Sequence, residues 1–181
     1  MSSDAPWQRY EVPGSTRATV ISKPDVVVSL LKKAKCPLII VGHDIVQHGL
    51  TSPGPVDIIA TISREGGIPL VATPSAASSF RKLGFTPALT LSAMEIGTRI
   101  NDPDWSAPGM HAHPDLVILV GFSYIMGWLL ESGLKSFAPD GTRMISIDRR
   151  YQPHCNFSFP NQTIEEWTSN LSAIAAGVGS R

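Results

Sequence analysis

The chain has 181 residues, a length that fits one domain, or one domain with a structured arm, without a disulfide or a metal to stabilise it. Lysine plus arginine and aspartate plus glutamate number 15 each, so no net charge attracts nucleic acid or anionic lipid, and we expect neither as a partner. Charged residues make up only 17% of the chain, against about 25% in an average soluble domain. Surface with so few charges is normally covered by another subunit, and we expect a permanent protein partner rather than a somewhat apolar monomer.

The cysteine content limits the metal chemistry of the chain. Cys36 and Cys155 are far apart and form no CxxC motif. A four-thiolate iron–sulfur cluster needs more sulfur ligands than these two, and no histidine lies at the spacing of a closed zinc site. We expect two reduced core thiols in a cytoplasmic protein. No apolar run reaches the roughly 18 residues of a membrane span and the first residues lack a signal-peptide core, so we expect no membrane association.

The first third of the chain divides into an arm and the start of a regular pattern. Residues 1–22 contain two prolines and a glycine that break any periodicity, and we predict an extended N-terminal arm followed by one α/β domain over 23–181. Pro24 suits the first turn of a helix, and the apolar positions after it recur at helical spacing. The run 38–41 is apolar throughout, as in a strand buried on both faces, and it ends at Gly42.

The alternation of helix and strand then continues to the C-terminus. Further strands are predicted at 68–72, 116–120 and 144–147. Further helices are predicted at 55–65, from Thr73 as N-cap with Pro74 in the first turn, and at about 90–99, 124–136 and 163–176. Strands that are apolar throughout and separated by helices predict a Rossmann-like parallel sheet with helices on both faces. Periodicity does not give the order of the strands.

Ligands of an open parallel sheet bind beyond the carboxyl ends of its strands, and four such ends can be named. Glycine at two of them lets a backbone approach a ligand closely, and the helix start at Thr73 offers N–H groups to an anion. Asp148 could accept hydrogen bonds from a ribose, and the arginines after it could pair with phosphate. The predicted cofactor-binding residues are Gly42, His43, Thr73, Pro74, Ser75, Gly121, Phe122, Asp148 and Arg149.

Each of these residues also has a purely structural interpretation. Gly42 and Gly121 could serve only tight turns between a strand and a helix, and Asp148 could cap a neighbouring helix. The arginines could pair with carboxylates of a partner. No G-x-G-x-x-G motif follows the first strand, and His43 stands where a second glycine would admit a pyrophosphate, which argues against a standard dinucleotide site.

The long loop 101–115 contains the remaining candidate ligands. His111, His113 and Asp115 look like part of a metal site, but two alternate histidines in a proline-rich loop are more typical of a surface or an interface. The sequence contains neither a G-x-S-x-G nor an H-E-x-x-H motif. We predict no metal site and no catalytic residue, and we expect the chain alone not to be a catalyst.

Five segments in one order carry a family resemblance. They are 36–42 (CPLIIVG), 68–73 (IPLVAT), 102–105 (DPDW), 114–122 (PDLVILVGF) and 145–151 (ISIDRRY). From about Lys23 to the C-terminus, the chain resembles the epsilon subunits of the archaeal acetyl-CoA decarbonylase/synthase complex, and its strand ends are similar to the cofactor-binding middle domain of thiamine-diphosphate enzymes. The DPDW and DRRY segments are the more specific ones. The loop 106–115 and His43 depart from the family pattern.

The resemblance implies a function inside an assembly of an anaerobic archaeon. The partner would be the carbon monoxide dehydrogenase alpha subunit in an alpha2-epsilon2 arrangement, and the nickel–iron–sulfur and 4Fe–4S clusters would belong to that partner. The role implied for the epsilon subunit is to stabilise alpha and to support electron transfer to FAD. The alternative is a flavin- or nucleotide-binding protein that acts by itself. An independent enzyme would need a catalytic motif that the sequence does not contain.

Overall fold

A computed structural model describes residues 17–48 and 53–179. The strands are β1 (Thr19–Val20), β2 (Pro37–Val41), β3 (Leu70–Ala72), β4 (Leu89–Thr90), β5 (Leu116–Val120), β6 (Arg143–Ser146) and β7 (Phe157–Ser158). The helices are α1 (Pro24–Lys33), α2 (Pro55–Gly66), α3 (Pro74–Lys82), α4 (Ala93–Ile100), α5 (Tyr124–Phe137) and α6 (Ile164–Gly179), with a 3₁₀ helix at His43–His48. Within the described ranges, no helix has the length and hydropathy needed to cross a membrane.

The strands form one parallel sheet in the order β1-β7-β6-β5-β2-β3-β4. The two central strands, β2 and β5, pair along their whole length, from Pro37 opposite Leu116 to Val41 opposite Val120. The chain runs outward from β2 through β3 to β4 and then returns to place β5 on the other side of β2. This confirms the predicted α/β, Rossmann-like sheet, and it adds the strand order, with its reversal between β2 and β5.

The central strands are apolar throughout because both faces of the sheet are covered. Alternate residues of β2 and β5 belong to two separate hydrophobic clusters, Ile39 and Ile118 to the first and Ile40 and Leu119 to the second. Helices α1, α2, α3 and α6 supply the first cluster. Within the described ranges, α4 and α5 are the helices that supply the second, with help from Trp105 and neighbouring residues of the loop 101–115. Among these elements, four helices therefore cover one face of the sheet, and two helices and a loop cover the other.

Three strands of two residues each were not predicted, and one of them involves the predicted arm. Within that arm, 17–22 lies in the structure and 1–16 lies outside the described residues. Strand β1 pairs with β7, and Ile21 is buried. Ala18 donates its N–H to the hydroxyl of Tyr151 (2.8 Å), which donates back to the Ala18 carbonyl (3.0 Å). The described end of the arm is thus part of the sheet.

Two predicted boundaries differ from the structure for identifiable reasons. The helix predicted at about 90–99 begins at Ala93, because Ser92 caps it by accepting the N–H of Glu95 (3.2 Å). The strand predicted at 68–72 begins at Leu70, because the turn that ends α2 extends to Ile68. There Gly67 adopts a left-handed conformation and the N–H of Ile68 donates to the carbonyl of Ser63 (2.9 Å).

Candidate functional site

The reversal of strand order marks where a fold of this kind binds a ligand. The crevice lies beyond the carboxyl ends of β2 and β5, next to Gly42 and Gly121. Both of these residues were predicted to contact a cofactor. The geometry of the two turns that follow β2 and β5 therefore decides what the crevice can hold.

In the structure the two turns pack directly against each other. A Cβ atom on Gly42 would overlap the carbonyl oxygen of Gly121 and would lie 2.7 Å from the ring of Phe122. Gly121 has a φ of 75°, and a Cβ there would lie 2.6 Å from the Cβ of Ile45 in the 3₁₀ helix. Its carbonyl accepts the N–H of Asp44 at 2.7 Å. The glycines thus allow backbone to approach backbone, and Phe122 and Ile45 occupy the crevice.

Asp148 stabilises the turn after β5 from the neighbouring strand end. Its carboxylate accepts the N–H of Gly121 at 2.5 Å and lies 3.4 Å from the N–H of Phe122. These N–H groups precede α5, where such groups commonly bind anions. Burial raises the pKa of Asp148 to about 7; the nearby Asp44 adds to this rise, and the two backbone hydrogen bonds oppose it. A carboxylate of the chain itself therefore accepts the N–H groups of this turn.

A small cleft lies beside Asp148 and brings together four of the nine predicted residues. Its volume is about 30 Å³, enough for ordered water. A pocket for a cofactor-sized ligand is about ten times larger. The cleft is lined by Asp44, Gly121, Phe122, Tyr124, Asp148, Arg149, Arg150 and Trp167.

The other predicted residues lie at the same edge of the sheet but do not line this cleft. His43 is exposed in the 3₁₀ helix, and Pro74 and Ser75 are exposed in the first turn of α3. Thr73 precedes α3 as predicted, but the predicted side-chain cap is not formed. Its hydroxyl is buried and has no hydrogen-bond partner among the described residues. The predicted site is thus divided into two parts by the 3₁₀ helix and Phe122.

The candidate ligands in the loop 101–115 have structural partners instead. His113 contacts the carbonyl of Ile100 at 2.8 Å through Nε2, and the Nε2 of His111 lies 3.5 Å from the Sγ of Cys36. Asp115 accepts the N–H groups of Lys35 and Cys36, both at 2.8 Å. Across the part of the chain that the structure describes, no three such side chains are grouped so as to hold a metal. The loop is therefore bound to the start of β2 and to the end of α4.

The sequence analysis did not identify a buried polar cluster next to Asp148. Glu131 of α5 has no exposed surface, and neither of its carboxyl oxygens has a hydrogen-bond partner within the described ranges. Burial raises the pKa of Glu131 well above its usual value, and the charge of Asp148 adds to this, while nearby Cys155 and Ser146 oppose it. Burial also raises the pKa of the Cys155 thiol, as does Glu131. Helical spacing from Gly127 and Leu134 could have placed Glu131 on the inner face.

Comparisons with known proteins identify the family. Residues 1–175 match the family described as "CO dehydrogenase beta subunit/acetyl-CoA synthase epsilon subunit". The chain is 27% identical to the acetyl-CoA decarbonylase/synthase complex subunit epsilon of Methanothermobacter thermautotrophicus, over 94% of both chains. It is 32% identical to subunit epsilon 1 of Archaeoglobus fulgidus, over 84% of this chain and 79% of that protein. The chain therefore belongs to the family of CO dehydrogenase beta subunits and acetyl-CoA synthase epsilon subunits.

Proposed function

We propose that the chain is an accessory subunit of the carbon monoxide dehydrogenase component of an acetyl-CoA decarbonylase/synthase complex. In this role it binds the nickel–iron–sulfur alpha subunit and stabilises it, in the cytoplasm, without a reaction of its own. The relatives that carry the name of such a subunit match over most of their length. The observation that carries the proposal is the crevice itself, where among the described residues the two turns pack against each other and Asp148 accepts the N–H of Gly121. Such a domain is suited to a structural role.

The placement of the thiols supports the assignment of the metal clusters to the partner. Cys36 and Cys155 are both buried, but in different surroundings: Cys36 lies against His111 and Cys155 against Glu131. Two separated thiols cannot supply the four soft ligands of an iron–sulfur cluster. The redox chemistry of the complex is accordingly assigned to alpha.

The proposal is tested by producing the alpha subunit with and without this chain. We expect an alpha2-epsilon2 assembly in analytical ultracentrifugation. We also expect the CO-oxidising activity of alpha to survive heating longer when the chain is bound, because a ligand of the folded state lowers the population that unfolds. Equal rates of thermal inactivation with and without the chain, at a concentration where the assembly is intact, would contradict a stabilising role.

FAD is the cofactor that the resemblance implies, and its fit can be judged from the crevice. A flavin dinucleotide needs several hundred Å³, whereas the cleft beside Asp148 has about 30 Å³. The residues present do not fit the group in this conformation, since Phe122 and the pair Arg149 and Arg150 line the available space. FAD binding and electron transfer therefore stay predictions. Flavin fluorescence titrations of the chain alone and of the complex with alpha would test them, and saturation only in the complex would indicate a site that alpha completes.

A further inference from the structure

Helix α5 carries a carboxyl group on the side that faces the sheet. Glu131 has no exposed surface, and neither of its carboxyl oxygens has a hydrogen-bond partner among the described residues. Leu130 and Leu134 of the same helix are buried in the second hydrophobic cluster. In such surroundings an ionised carboxylate without a partner costs far more free energy than a neutral carboxylic acid, so Glu131 keeps its proton in the folded chain.

The nearest polar groups do not stabilise a charge on Glu131. Ser146 of β6 and Cys155 are buried close to it, and the hydroxyl of Ser146 likewise has no hydrogen-bond partner within the described ranges. Burial raises the pKa of Glu131 well above its usual value, the charge of Asp148 raises it further, and the opposing effect of Cys155 and Ser146 is smaller. The proton on Glu131 is therefore coupled to the packing of α5 on the sheet.

The other ionisable side chains on this face of the sheet do not pair with Glu131. Glu95 and Arg99 of α4 are exposed and pair with each other at 3.8 Å. The ring of His154 contacts that of Trp128, with 4.7 Å between the ring centroids. No cation among the described residues donates a hydrogen bond to the Glu131 carboxyl. The remaining ionisable residues of the elements on this face are Asp102, Asp104, His111, His113 and Asp115 of the loop 101–115, Asp140, Arg143, Arg149, Arg150 and Tyr151 between α5 and β7, and Tyr124 and Lys135 of α5.

Helix α5 also has weak local support for its helical structure. Its N-cap residue, Ser123, forms no side-chain hydrogen bond to the helix, and its interior contains Gly127 and Gly133. Glycine is among the least favourable residues inside a helix. On the other face of the sheet, α2 and α6 begin with capping hydrogen bonds, in which Asp57 accepts the N–H of residue 54 (3.1 Å) and Glu166 that of residue 163 (2.9 Å). Local opening is expected first where local support is weakest, which here is α5.

We propose that α5 is a proton-linked element of the fold, which stays packed on the sheet while Glu131 is protonated and opens locally when Glu131 ionises. Opening exposes the carboxyl to water, where its pKa returns to its usual value. The closed state therefore binds the proton more tightly, and opening increases as pH rises. Between the usual pKa and the raised one, each pH unit favours the open state about tenfold. No partner subunit takes part, so this opening and the proposed function can fail independently.

The test is amide hydrogen exchange of the full chain between about pH 5 and about pH 8, read by mass spectrometry and corrected at each pH for the intrinsic exchange rate. Glu131→Gln keeps the shape of the side chain but cannot ionise, and the control Glu95→Gln removes an exposed carboxylate from α4. As pH rises over this range, we expect protection of the α5 amides to fall at least about tenfold more in the unsubstituted chain and in Glu95→Gln than in Glu131→Gln. Protection of α2 should follow the same pH course in all three proteins.

Two exchange results would overturn the proposal. The first is a fall in α5 protection that is as large in Glu131→Gln as in the unsubstituted chain. The second is a fall that depends on Glu131 but is equally large in α2, since the whole domain then unfolds together. Should Glu131→Gln fail to fold, Glu131→Met keeps a long unbranched side chain without an ionisable group and replaces it.

Infrared spectroscopy gives a second readout, which does not depend on opening. At about pH 6 exposed carboxylates are ionised, whereas Glu131 is expected to retain its proton. The carbonyl band of protonated carboxylic acids should therefore lose intensity in Glu131→Gln or Glu131→Met and keep it in Glu95→Gln. A band of equal intensity in all of these proteins would show that Glu131 is ionised in the folded chain, which also overturns the proposal.

Discussion

The crevice beyond β2 and β5 and the outward side of α5, with Ile125, Leu129 and Phe137, differ in whether their groups find partners within the chain. In the crevice, Gly42 and Gly121 pack against each other, and Asp148 accepts the N–H groups of the turn. On α5, Ile125 and Leu129 point away from every hydrophobic cluster and carry exposed apolar surface. The first region is complete within the chain, although its fold usually binds a ligand there. The second region leaves these apolar side chains in contact with solvent.

The largest expected effect is a difference in the free energy of unfolding between substitutions at two adjacent residues on opposite sides of α5. Leu130 is buried against α4, whereas Leu129 is half exposed. We expect Leu130→Ala to lower the free energy of unfolding by about 3 kcal/mol, because it leaves a cavity in the second hydrophobic cluster. Leu129→Ala should change the free energy of unfolding by no more than about 0.5 kcal/mol. Urea denaturation of both variants measures the difference, and equal losses would mean that Leu129 already packs within the chain.

The second prediction concerns the pH dependence that Asp148 confers. Its pKa is about 7 in the folded chain and about 4 in the unfolded chain. Between about pH 4 and about pH 7, the folded state therefore keeps a proton that the unfolded state has lost. The free energy of unfolding therefore falls as pH rises through this window and levels off above about 7. From pH 5 to pH 8 we expect Asp148 to contribute a fall of about 3 kcal/mol.

The matched variant for this measurement is Asp148→Asn, which keeps an acceptor for the N–H of Gly121 but cannot ionise. Its free energy of unfolding should fall less over the same pH range. Glu131, whose pKa is also raised, contributes in the same direction in both proteins. Because the charge of Asp148 adds to the rise at Glu131, the difference between the two curves reports Asp148 together with its effect on Glu131. Parallel curves would show that Asp148 is not the group responsible.

The smallest expected effects come from substituting two glycines, one in tight packing and one beside open space. Gly42→Ala would force a Cβ against the backbone of Gly121, and we expect it to lower the free energy of unfolding by about 2 kcal/mol. Gly133→Ala adds a methyl group where no atom lies within 4 Å, inside a helix, and should raise the free energy of unfolding by about 0.5–1 kcal/mol. Thermal melting of the two variants should shift in opposite directions. A Gly42→Ala variant as stable as the unsubstituted chain would indicate that the crevice can open.

Sequence patterns predicted the long elements well and the short ones poorly. Strands β2 and β5 were predictable because a strand buried on both faces is apolar at every position. Helices α1 and α5 were predictable because a helix buried along one side has apolar residues at helical spacing. Strands β1, β4 and β7 have two residues each, too few for a period to appear. They form only because a neighbouring strand presents a backbone edge, and that edge depends on the order of the strands.

The sequence analysis predicted which strand ends meet at one edge of the sheet, but not how their residues are arranged there. The rule that parallel strands present their carboxyl ends at one edge correctly brought Gly121, Phe122, Asp148 and Arg149 to one cleft. It could not reveal that Phe122 faces Gly42, nor that Asp148 accepts N–H groups from its own chain, because both contacts join segments distant in sequence. Glu131 was missed for a related reason, since a glutamate in a helix is usually exposed.

By itself, the sequence determined the parallel α/β architecture, the family and the absence of enough thiols for a cluster, because these follow from local periodicity, ordered motifs and composition. Only the tertiary structure decided that the turns after β2 and β5 pack against each other and that α5 presents Ile125, Leu129 and Phe137 outward. Both depend on which segments meet across the sheet, and pairing between distant segments is set by the packing of the whole chain, not by any local pattern of residues.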